Sequence, residues 1–569
     1  MMSTLSLPLT SAGFAAANWD LVAPFYRELA ELPLDSTTRD GWLARWSRLD
    51  ELVTEAASLA MIAYTCDTAD TGKEAAHLRF STQILPQLEE WEVILAKRLV
   101  AIGTDRTDME TTVARFRMAI EIFREANVPL VAESEGLAAK YQQVTGTMTA
   151  PWQGEQVPLP RLSPFLKSHD RSVRESAWRV ATAPYIAARD ELTAVFDRMV
   201  ALRNSIAHNA GFGNYVEYSF AAKCRFDYTP ADCGQLHHSI ETVVGPAIAR
   251  VLESRRERLG LDTVRPWDVA VDPYQTTSSP AFRDAVELQS VSARIFDTLD
   301  PVLGGHFRTM MTEGLLDLDS RPGKAPGGYC DTLHARGRPF IFMNAAGVPE
   351  DVNTLLHEAG HSFHAFASHE RPFIWQRHPG AESAELASMS MELLAAPYLA
   401  LPVGFYSERD ATSARLEHLE DILISLAHIA SVDAFQMWIY THPEGSDAAA
   451  RDAAWLAIRE RFEPGIDWSG LRDQRVARWY RQMHIFLYPF YYIEYAIAQI
   501  GALQLWRNAR HDPVEALNAY RRFMALGATR PLPDLYQAAG VELSFDAGLL
   551  GELVALIEGE MAVLRGALA

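Results

Sequence analysis

One short motif constrains this chain more than any other segment: the eight residues from His357 to His364 read HEAGHSFH. Two histidines four positions apart on a helix lie on one face, so both imidazoles can bind a single zinc ion, with the intervening glutamate beside that ion. Alanines and leucines flank the motif, which favours an apolar helix from about Val352 to Ser368. The motif therefore predicts a helix that carries His357 and His361 as metal ligands and Glu358 next to the metal.

A catalytic zinc ion needs a third protein ligand and leaves one position for water. His364 lies seven residues after His357, and ligands spread over that length of helix would be about 10 Å apart. We therefore expect His364 to lie outside the ligand set, as a neighbouring or packing group. A second apolar helix is predicted at residues 381–392, where Glu385 and Glu392 share one face. We expect Glu385 to bind the metal and Glu392 to hydrogen-bond a ligating imidazole; the alternative is a solvated acidic face.

The composition argues against several classes of protein. A net charge of −21 repels phosphate backbones, so no nucleic-acid partner is expected. The four cysteines lack Cys-x-x-Cys spacing, which argues against a disulfide framework and favours a reducing compartment. Residues 1–15 lack a basic segment followed by a long apolar run, and no stretch reaches about 18 uninterrupted apolar residues. The sequence therefore predicts a cytoplasmic protein without a secretory signal or a membrane span.

Helical spacing of apolar residues dominates the chain, so the expected fold is mainly α-helical. The pattern is interrupted between Gln143 and Leu162, where alternating and turn-forming residues predict a small β element. A chain of 569 residues is long enough for two or more lobes. We therefore predict an N-terminal helical lobe over residues 1–165, with the β element at its end, and a domain over residues 166–569 that contains the metal motif.

A segment further along the chain concentrates tyrosines around one histidine. Its aromatic residues recur at spacings of three and four: His484, Tyr488, Tyr491 or Tyr492, and Tyr495. That spacing predicts a stripe along one helix face. Aromatic stripes are common in protein cores, but several hydroxyl groups and an imidazole also need hydrogen-bond partners, which a wet cleft provides. A phenol or imidazole donor opposite a metal would stabilise an oxyanion.

These motifs resemble one family of enzymes. The resemblance rests on the zinc motif with Thr354–Leu356 before it and on four further segments: Gly327–Cys330, Pro339–Asn344, Ala384–Ser388 and His484–Tyr495. Together they are similar to the oligoendopeptidase F and thimet oligopeptidase family of zinc metallopeptidases, and the helical N-terminal part resembles the oligoendopeptidase F branch. The resemblance implies a mainly α-helical, two-lobed, bowl- or clam-shaped metallopeptidase with a small β-sheet beside the active-site helix and one Zn²⁺ per chain.

The resemblance also implies roles for the tyrosine segment. His484, Tyr488 and Tyr495 match the positions at which the family binds substrate and stabilises the oxyanion. Tyr492 is kept as an alternative to Tyr495, because the spacing from His484 leaves both open. In the implied mechanism, zinc activates a water molecule, and Glu358 takes the proton of that water and passes it to the leaving amine.

Two segments before the zinc motif are candidates for substrate binding. The run from Pro339 to Asn344 reads as one strand next to the metal helix. As an edge strand along the cleft it would pair with the substrate backbone through three residues, Phe340, Ile341 and Phe342. Gly327 and Gly328 would let a loop approach the peptide or close over it, although a plain glycine-rich connection fits the sequence equally well.

The sequence thus predicts a zinc-dependent oligoendopeptidase that hydrolyses internal bonds of short peptides. A dipeptidyl carboxypeptidase of the same metal type would share every zinc-site residue and would add a cationic group to bind the C-terminal carboxylate. A non-catalytic peptide-binding protein with a structural metal is a third hypothesis, which the intact Glu358 disfavours because binding alone needs no general base. Both a monomer and a homodimer are compatible with the sequence.

Overall fold

Helices dominate the computed structural model, which describes residues 5–274 and 280–569. Helical residues make up 72% of these described residues and are accompanied there by two small sheets, so the prediction of a mainly α-helical fold with a small β-sheet is confirmed. The predicted interruption between Gln143 and Leu162 contains a two-stranded antiparallel hairpin.

The part of the chain before the zinc motif contains fourteen described α-helices and five strands. The helices are α1 (Trp19–Glu31), α2 (Arg39–Cys66), α3 (Thr71–Arg79), α4 (Leu85–Ile102), α5 (Glu110–Ile122), α6 (Val128–Gly146), α7 (Ser163–Leu166), α8 (Arg171–Ala187), α9 (Arg189–Ala210), α10 (Tyr215–Ala222), α11 (Pro230–Ser239), α12 (Gly245–Arg258), α13 (Ala285–Leu299) and α14 (Pro301–Glu313). The strands are β1 (Thr149–Trp152), β2 (Glu155–Pro158), β3 (Leu316–Asp319), β4 (Tyr329–Leu333) and β5 (Arg338–Ala345).

From the zinc motif onward, the regular elements are helices. They are α15 (Pro349–Ser368), α16 (Ala381–Ala395), α17 (Glu408–Thr441), α18 (Ala448–Phe462), α19 (Arg472–Arg481), α20 (Met483–Leu487), α21 (Tyr492–His511), α22 (Pro513–Leu526), α23 (Leu532–Ala538) and α24 (Ala547–Leu568). The two helices predicted for the metal ligands are therefore present as α15 and α16.

The chain forms two compact units that interleave along the sequence. The first contains Met1–Glu121, Ser278–Ala411 and Ala498–Leu543. The second contains Ile122–Thr277, Thr412–Ile497 and Ser544–Ala569. The zinc motif lies in the first unit, and the tyrosine segment from His484 to Tyr495 lies in the second. The predicted domain division at residue 165 stays a prediction.

The N-terminal helices of the first unit pack around a tryptophan cluster. Trp46 of α2 stacks on Phe116 of α5 with ring centroids 5.2 Å apart, and its centroid lies 4.4 Å from that of Trp375. Ser47 of α2 accepts a hydrogen bond at its Oγ from the backbone N–H of Ile374 at 2.8 Å. These contacts join α2 to the segment between α15 and α16, so the N-terminal helices belong to the same core as the metal motif.

The three-stranded sheet of the first unit packs against α15. Its strand order is β3-β5-β4, with β3 parallel and β4 antiparallel to β5. The strand predicted at residues 339–344 is therefore present, but its expected position at a sheet edge is wrong. Both sides of β5 are already paired, and Phe340, Ile341 and Phe342 are buried. A peptide cannot add to this strand, because its backbone groups are already hydrogen-bonded within the sheet.

The second unit packs around a different aromatic cluster. Trp479 of α19 is fully buried, and its ring centroid lies 5.2 Å from Phe196 of α9 and 5.6 Å from Phe435 of α17. Phe486 of α20 lies 5.7 Å from the same indole in a stacked arrangement. Aromatic contacts of this kind add to the burial of apolar surface. They fix the short helix α20, which carries His484.

Helix α17 is the one helix in the described part of the chain that is long and apolar enough to cross a membrane. Within its most apolar window, 67% of the residues are buried inside the protein. A core helix of a folded protein has the same properties, because burial against neighbouring helices also selects apolar residues.

Candidate metal centre

The zinc motif lies on α15, whose first turn is fixed by one carboxylate. Asp351 accepts hydrogen bonds from the backbone N–H groups of Ala346, Gly347 and Val348 at 2.7, 2.9 and 3.0 Å. An acidic residue in the first turn also suits the helix dipole, and Pro349 occupies a position where no N–H is needed. The helix begins three residues before the start predicted from the sequence and ends at the predicted residue.

Three side chains converge between α15 and α16. One possible ligand atom each of His357, His361 and Glu385 lies within 4.8 Å of the others. Glu385 Oε2 lies 3.3 Å from His357 Nε2 and 3.7 Å from His361 Nε2. Tetrahedral zinc with bonds of about 2.0 Å separates its ligand atoms by about 3.3 Å. The donor set therefore fits a zinc ion, and the structure brings together the three residues that the sequence analysis selected as ligands.

Gly360 lets the two helices approach closely enough for this convergence. A Cβ atom built on Gly360 would lie 2.5 Å from Ser388 Cα and 2.7 Å from the Ala387 carbonyl oxygen of α16. Atoms of the main chain cannot move aside as the end of a side chain can. Tyr520 of α22 donates a hydrogen bond at 2.8 Å to the same Ala387 oxygen. The sequence analysis missed Gly360, although a glycine inside a helical pattern signals close packing.

Two side chains orient the ligands. Glu392 Oε1 lies 2.8 Å from Nδ1 of His357, which leaves Nε2 of that ring on the side of Glu385. Ser388 Oγ donates a hydrogen bond to Glu385 Oε2 at 3.0 Å. Partners of this kind set the tautomer and direction of metal ligands. The structure thus places Glu392 next to a ligating imidazole. Ser388 was not selected from the sequence, but its position three residues after Glu385 puts both on one helix face.

The protonation states of the three candidate ligands suit the binding of a cation. Burial lowers the pKa of His361 to about 4, so its ring is neutral at neutral pH. Burial opposes ionisation of Glu385, but the hydrogen bond from His357 and the nearby histidines hold its pKa at about 2. Burial also lowers the pKa of His357, but Glu385 and Glu392 outweigh it and raise that pKa well above the ordinary value. A bound cation would take the place of this proton.

Glu358 lies beside the ligands with 8% of its surface exposed. Its carboxylate accepts a hydrogen bond from the backbone N–H of Cys330 on β4. Burial raises the pKa of Glu358 to about 7, against the opposing effect of His357. A carboxyl group with such a pKa can accept a proton and give it back near neutral pH.

His364 follows the ligands on α15 and is buried. Its ring centroid lies 5.3 Å from that of Phe523 on α22. Within residues 5–274 and 280–569, neither ring nitrogen has a hydrogen-bond partner. Burial lowers the pKa of His364 to about 3, so the ring packs as a neutral group.

The glycine-rich loop before β4 is tied to β5. Asn344 Nδ2 donates hydrogen bonds to the carbonyl oxygens of Ala325 at 2.7 Å and Gly327 at 2.9 Å. Gly327 has a φ of +99°, which side-chain-bearing residues rarely adopt, and a Cβ on Gly328 would lie 3.4 Å from the Phe342 carbonyl oxygen. Both glycines therefore allow the loop to run close to the sheet. Their role in peptide binding stays a prediction.

The tyrosine segment of the second unit is not one continuous helix, so the prediction of a stripe along one helix face is wrong. α20 ends at Leu487, α21 begins at Tyr492, and Phe490 between them has a φ of 61°. The cause is Pro489, because a proline disfavours the helical conformation of the residue before it. Tyr488 accordingly has φ −130° and ψ 66°.

The rings of this segment nevertheless cluster around His484. Its ring centroid lies 4.6 Å from Tyr492, 6.0 Å from Tyr488 and 6.4 Å from Tyr495. Tyr488 is 52% exposed. Burial lowers the pKa of His484 to about 4, so its ring is neutral at neutral pH. The helix break thus gathers hydrogen-bonding groups from α20 and α21 into one cluster.

The sequence model of peptidase family M3 matches residues 165–554. The chain belongs to this family. Family M3 consists of zinc metallopeptidases, which agrees with the donor set of the site. The resemblance to the oligoendopeptidase F group, inferred from five short segments, is confirmed.

Curated relatives with oligopeptidase names are also similar to part of the chain. An oligoendopeptidase F homolog of Borreliella burgdorferi is 24% identical over 313 residues, which cover 52% of this chain and 50% of the relative. The oligopeptidase PepF of Bacillus subtilis is 21% identical over 392 residues, which cover 67% of this chain and 55% of the relative. The matched part therefore spans about half the length of these curated relatives.

Solved structures share the fold over nearly the whole chain. The structure of PZ peptidase A with an inhibitor has a TM-score of 0.87 and 26% identity, and the match covers 98% of both chains. A structure named as an oligoendopeptidase F has a TM-score of 0.88 and 27% identity, and the match covers 96% of this chain and 97% of the other. The fold shared with these structures thus includes the N-terminal helices as well as the segment matched by the family model.

Proposed function

We propose that the chain is a zinc-dependent oligoendopeptidase that hydrolyses internal bonds of short peptides. The observation that carries the proposal is the convergence of His357, His361 and Glu385 in a geometry that fits zinc, with the buried Glu358 beside them. Membership of peptidase family M3 supports the same reaction class. One Zn²⁺ per chain is expected, and the cytoplasmic location and the oligomeric state stay predictions.

The proposed mechanism assigns one task to each part of the site. The three ligands would hold a zinc ion, which would supply a Lewis acid that makes water more acidic and polarises the scissile carbonyl. Glu358 would accept the proton of the attacking water and return it to the leaving amine. Burial of Glu358 raises its pKa in the metal-free site, and a carboxylate that water solvates poorly accepts a proton more readily.

The substrate backbone is proposed to bind at β4 rather than at β5. β4 is an edge strand of the sheet, and the backbone N–H of its Cys330 donates to Glu358. An extended peptide that pairs with an edge strand gains main-chain hydrogen bonds with little dependence on its side chains. A site built this way would accept many sequences, which suits an enzyme that degrades varied short peptides.

Hydrogen-bond donors for the substrate carbonyl oxygen are proposed to come from the tyrosine segment. The family resemblance assigns this role to His484, Tyr488 and Tyr495, with Tyr492 as the alternative to Tyr495. Donors that meet the developing negative charge stabilise the transition state more than the substrate. The clustering of all four rings supports a shared role in this step.

Glu358→Gln tests the general base without removing a ligand. Zinc measured by elemental analysis should stay at the wild-type level, while cleavage of an internally quenched peptide should fall by at least about 100-fold. Glu370→Gln is the matched control, because it makes the same chemical change at an exposed glutamate just beyond α15. Retained cleavage in the Glu358 variant would show that another group is the base.

The position of the cleaved bond separates the proposed function from its alternatives. Internally quenched peptides of increasing length should be cut inside the chain whether their C-termini are free or amidated. Loss of cleavage on amidation would instead support the dipeptidyl carboxypeptidase. Peptide binding without any cleavage by the zinc-loaded protein would support the non-catalytic alternative.

A further inference from the structure

A chain of hydrogen bonds in the second unit ends at His484. Arg459 of α18 donates from Nη1 to Nδ1 of His428 on α17 at 2.9 Å. Nε2 of His428 lies 3.1 Å from the side-chain oxygen of Gln482. The side-chain nitrogen of Gln482 lies 3.0 Å from Nδ1 of His484. Four side chains from three separate segments of the sequence thus form one continuous line.

The arginine determines the direction of every bond in this line. A guanidinium group has donors only, so Nδ1 of His428 must carry a lone pair, and the proton of the neutral ring lies on Nε2. That N–H donates to the Gln482 oxygen, which turns the Gln482 amide N–H₂ towards His484. Nδ1 of His484 then accepts a hydrogen bond, and its own ring proton lies on Nε2.

Arg459 is held firmly enough to impose this order. It is 3% exposed, forms an ion pair with Glu463 and donates to Ser431 Oγ at 2.5 Å. Glu463 also pairs with Arg478. Burial and the positive charges of Arg459 and Arg478 lower the pKa of His428 to about 3, so that ring stays neutral and keeps one donor and one acceptor.

We propose that Arg459, His428 and Gln482 are positioning residues that fix the next ring as the Nε2–H tautomer. His484 would then donate a hydrogen bond from Nε2 to the carbonyl oxygen of the peptide substrate. The opposite tautomer would present a lone pair to that oxygen and repel its developing charge. This inference rests on the proposed peptidase function, but the tautomer itself can be measured without any substrate.

Gln482→Glu tests the proposal because it reverses the hydrogen bonding with almost no change in shape. A carboxylate accepts from both neighbours, so the His484 ring proton should move to Nδ1. The tautomer is read from the imidazole ¹⁵N shifts of histidine-labelled protein, with the His484 signal identified by its loss in His484→Gln. At about pH 8.5, where an ordinary imidazole is neutral, we expect the Nε2–H form in the wild type and the Nδ1–H form in Gln482→Glu.

The kinetic expectation is a fall in kcat of about 100-fold for Gln482→Glu, the cost of losing one donor to the oxyanion, with little change in KM. Gln142→Glu is the matched control, because it makes the same change at an exposed position of α6 and should alter neither the tautomer nor kcat. Gln482→Met removes the hydrogen bonds to His428 and His484, together with the one to Tyr492, without imposing the wrong tautomer. Its kcat should lie between those of the wild type and Gln482→Glu, and it serves as the test if the latter does not fold.

Three outcomes would overturn the proposal: an Nδ1–H His484 in the wild type, a switched tautomer in Gln482→Glu with unchanged kcat, or unchanged kcat in Gln482→Met. The tautomer measurement distinguishes a failure of this inference from a failure of the proposed peptidase function. A wild-type protein that shows the Nε2–H form, and a variant that switches it, would support the hydrogen-bond chain even if neither cleaves any peptide. The absence of cleavage would then count against the peptidase function alone.

Discussion

Replacing Gly360 by alanine should weaken zinc binding far more than it weakens the fold. The added Cβ would lie 2.5 Å from Ser388 Cα, whereas carbon atoms in contact are about 3.5–4.0 Å apart. The two helices must therefore separate by about 1 Å. Glu385 lies one turn before Ser388 on the same helix and would move with it. Zinc sites tolerate only about 0.2 Å of variation in ligand distance, so the ligand set would open.

The expected magnitudes differ between stability and metal binding. Overpacking costs about 1–3 kcal/mol, and alanine recovers up to about 1 kcal/mol because it favours the helix more than glycine does. The free energy of unfolding of the metal-free protein should therefore fall by about 2 kcal/mol or less. Zinc affinity should fall at least about 10-fold, because the loss of a group that only orients a metal ligand already lowers metal affinity by that factor.

The assay is competition for zinc with a fluorescent chelator, accompanied by thermal unfolding of the metal-free protein. Gly136→Ala is the matched control, because this glycine lies inside α6 and an added Cβ would meet nothing within 4 Å. It should leave zinc affinity unchanged and keep or slightly raise stability. Wild-type zinc affinity in Gly360→Ala would refute the claim that close approach of α15 and α16 sets the ligand geometry.

Three further predictions concern other parts of the protein. Glu392→Ala should weaken zinc binding about 10–100-fold in the chelator assay, because His357 loses the acceptor that orients it; unchanged affinity would contradict this. Tyr495→Phe should lower kcat while zinc content stays constant, and full activity would move the role to Tyr488 or Tyr492. Burial raises the pKa of Glu92 from 4.5 to about 7, so folding stability should fall as pH rises through this window; Glu92→Gln should flatten the fall in urea unfolding, and an equally steep profile would contradict the shift.

The metal ligands could be selected from sequence because their arrangement is mostly local. His357 and His361 are one helical turn apart, and this spacing alone places them on one face. Glu385 follows on the next helix, where an apolar context makes a buried carboxylate stand out. The contact between Gly360 and the main chain of α16 is not local, and only the packed structure shows which backbone the glycine meets.

The two wrong predictions, an edge position for β5 and a continuous helix through the tyrosine segment, both contradict signals present in the local sequence. The run from Phe340 to Met343 is apolar at every position, a pattern of strands covered on both sides rather than of edge strands. In the tyrosine segment, Pro489 interrupts the helical spacing, and its effect on Tyr488 breaks the helix. The hydrogen-bond chain from Arg459 to His484 had no local signal, because its members come from three separate segments.

The interleaving of the two units has a consequence for dissecting the protein. Similarity to the M3 family model begins at residue 165, but α2 supplies part of the support of the sheet beside the metal helix. Glu55 accepts hydrogen bonds from the backbone and the guanidinium of Arg336 at 3.0 and 2.9 Å, and Thr65 contacts the Tyr329 hydroxyl at 2.7 Å. A fragment that begins at residue 165 would lack α2 and its contacts with this sheet. The residue at which sequence similarity to the family model begins is therefore not the start of a segment that folds on its own.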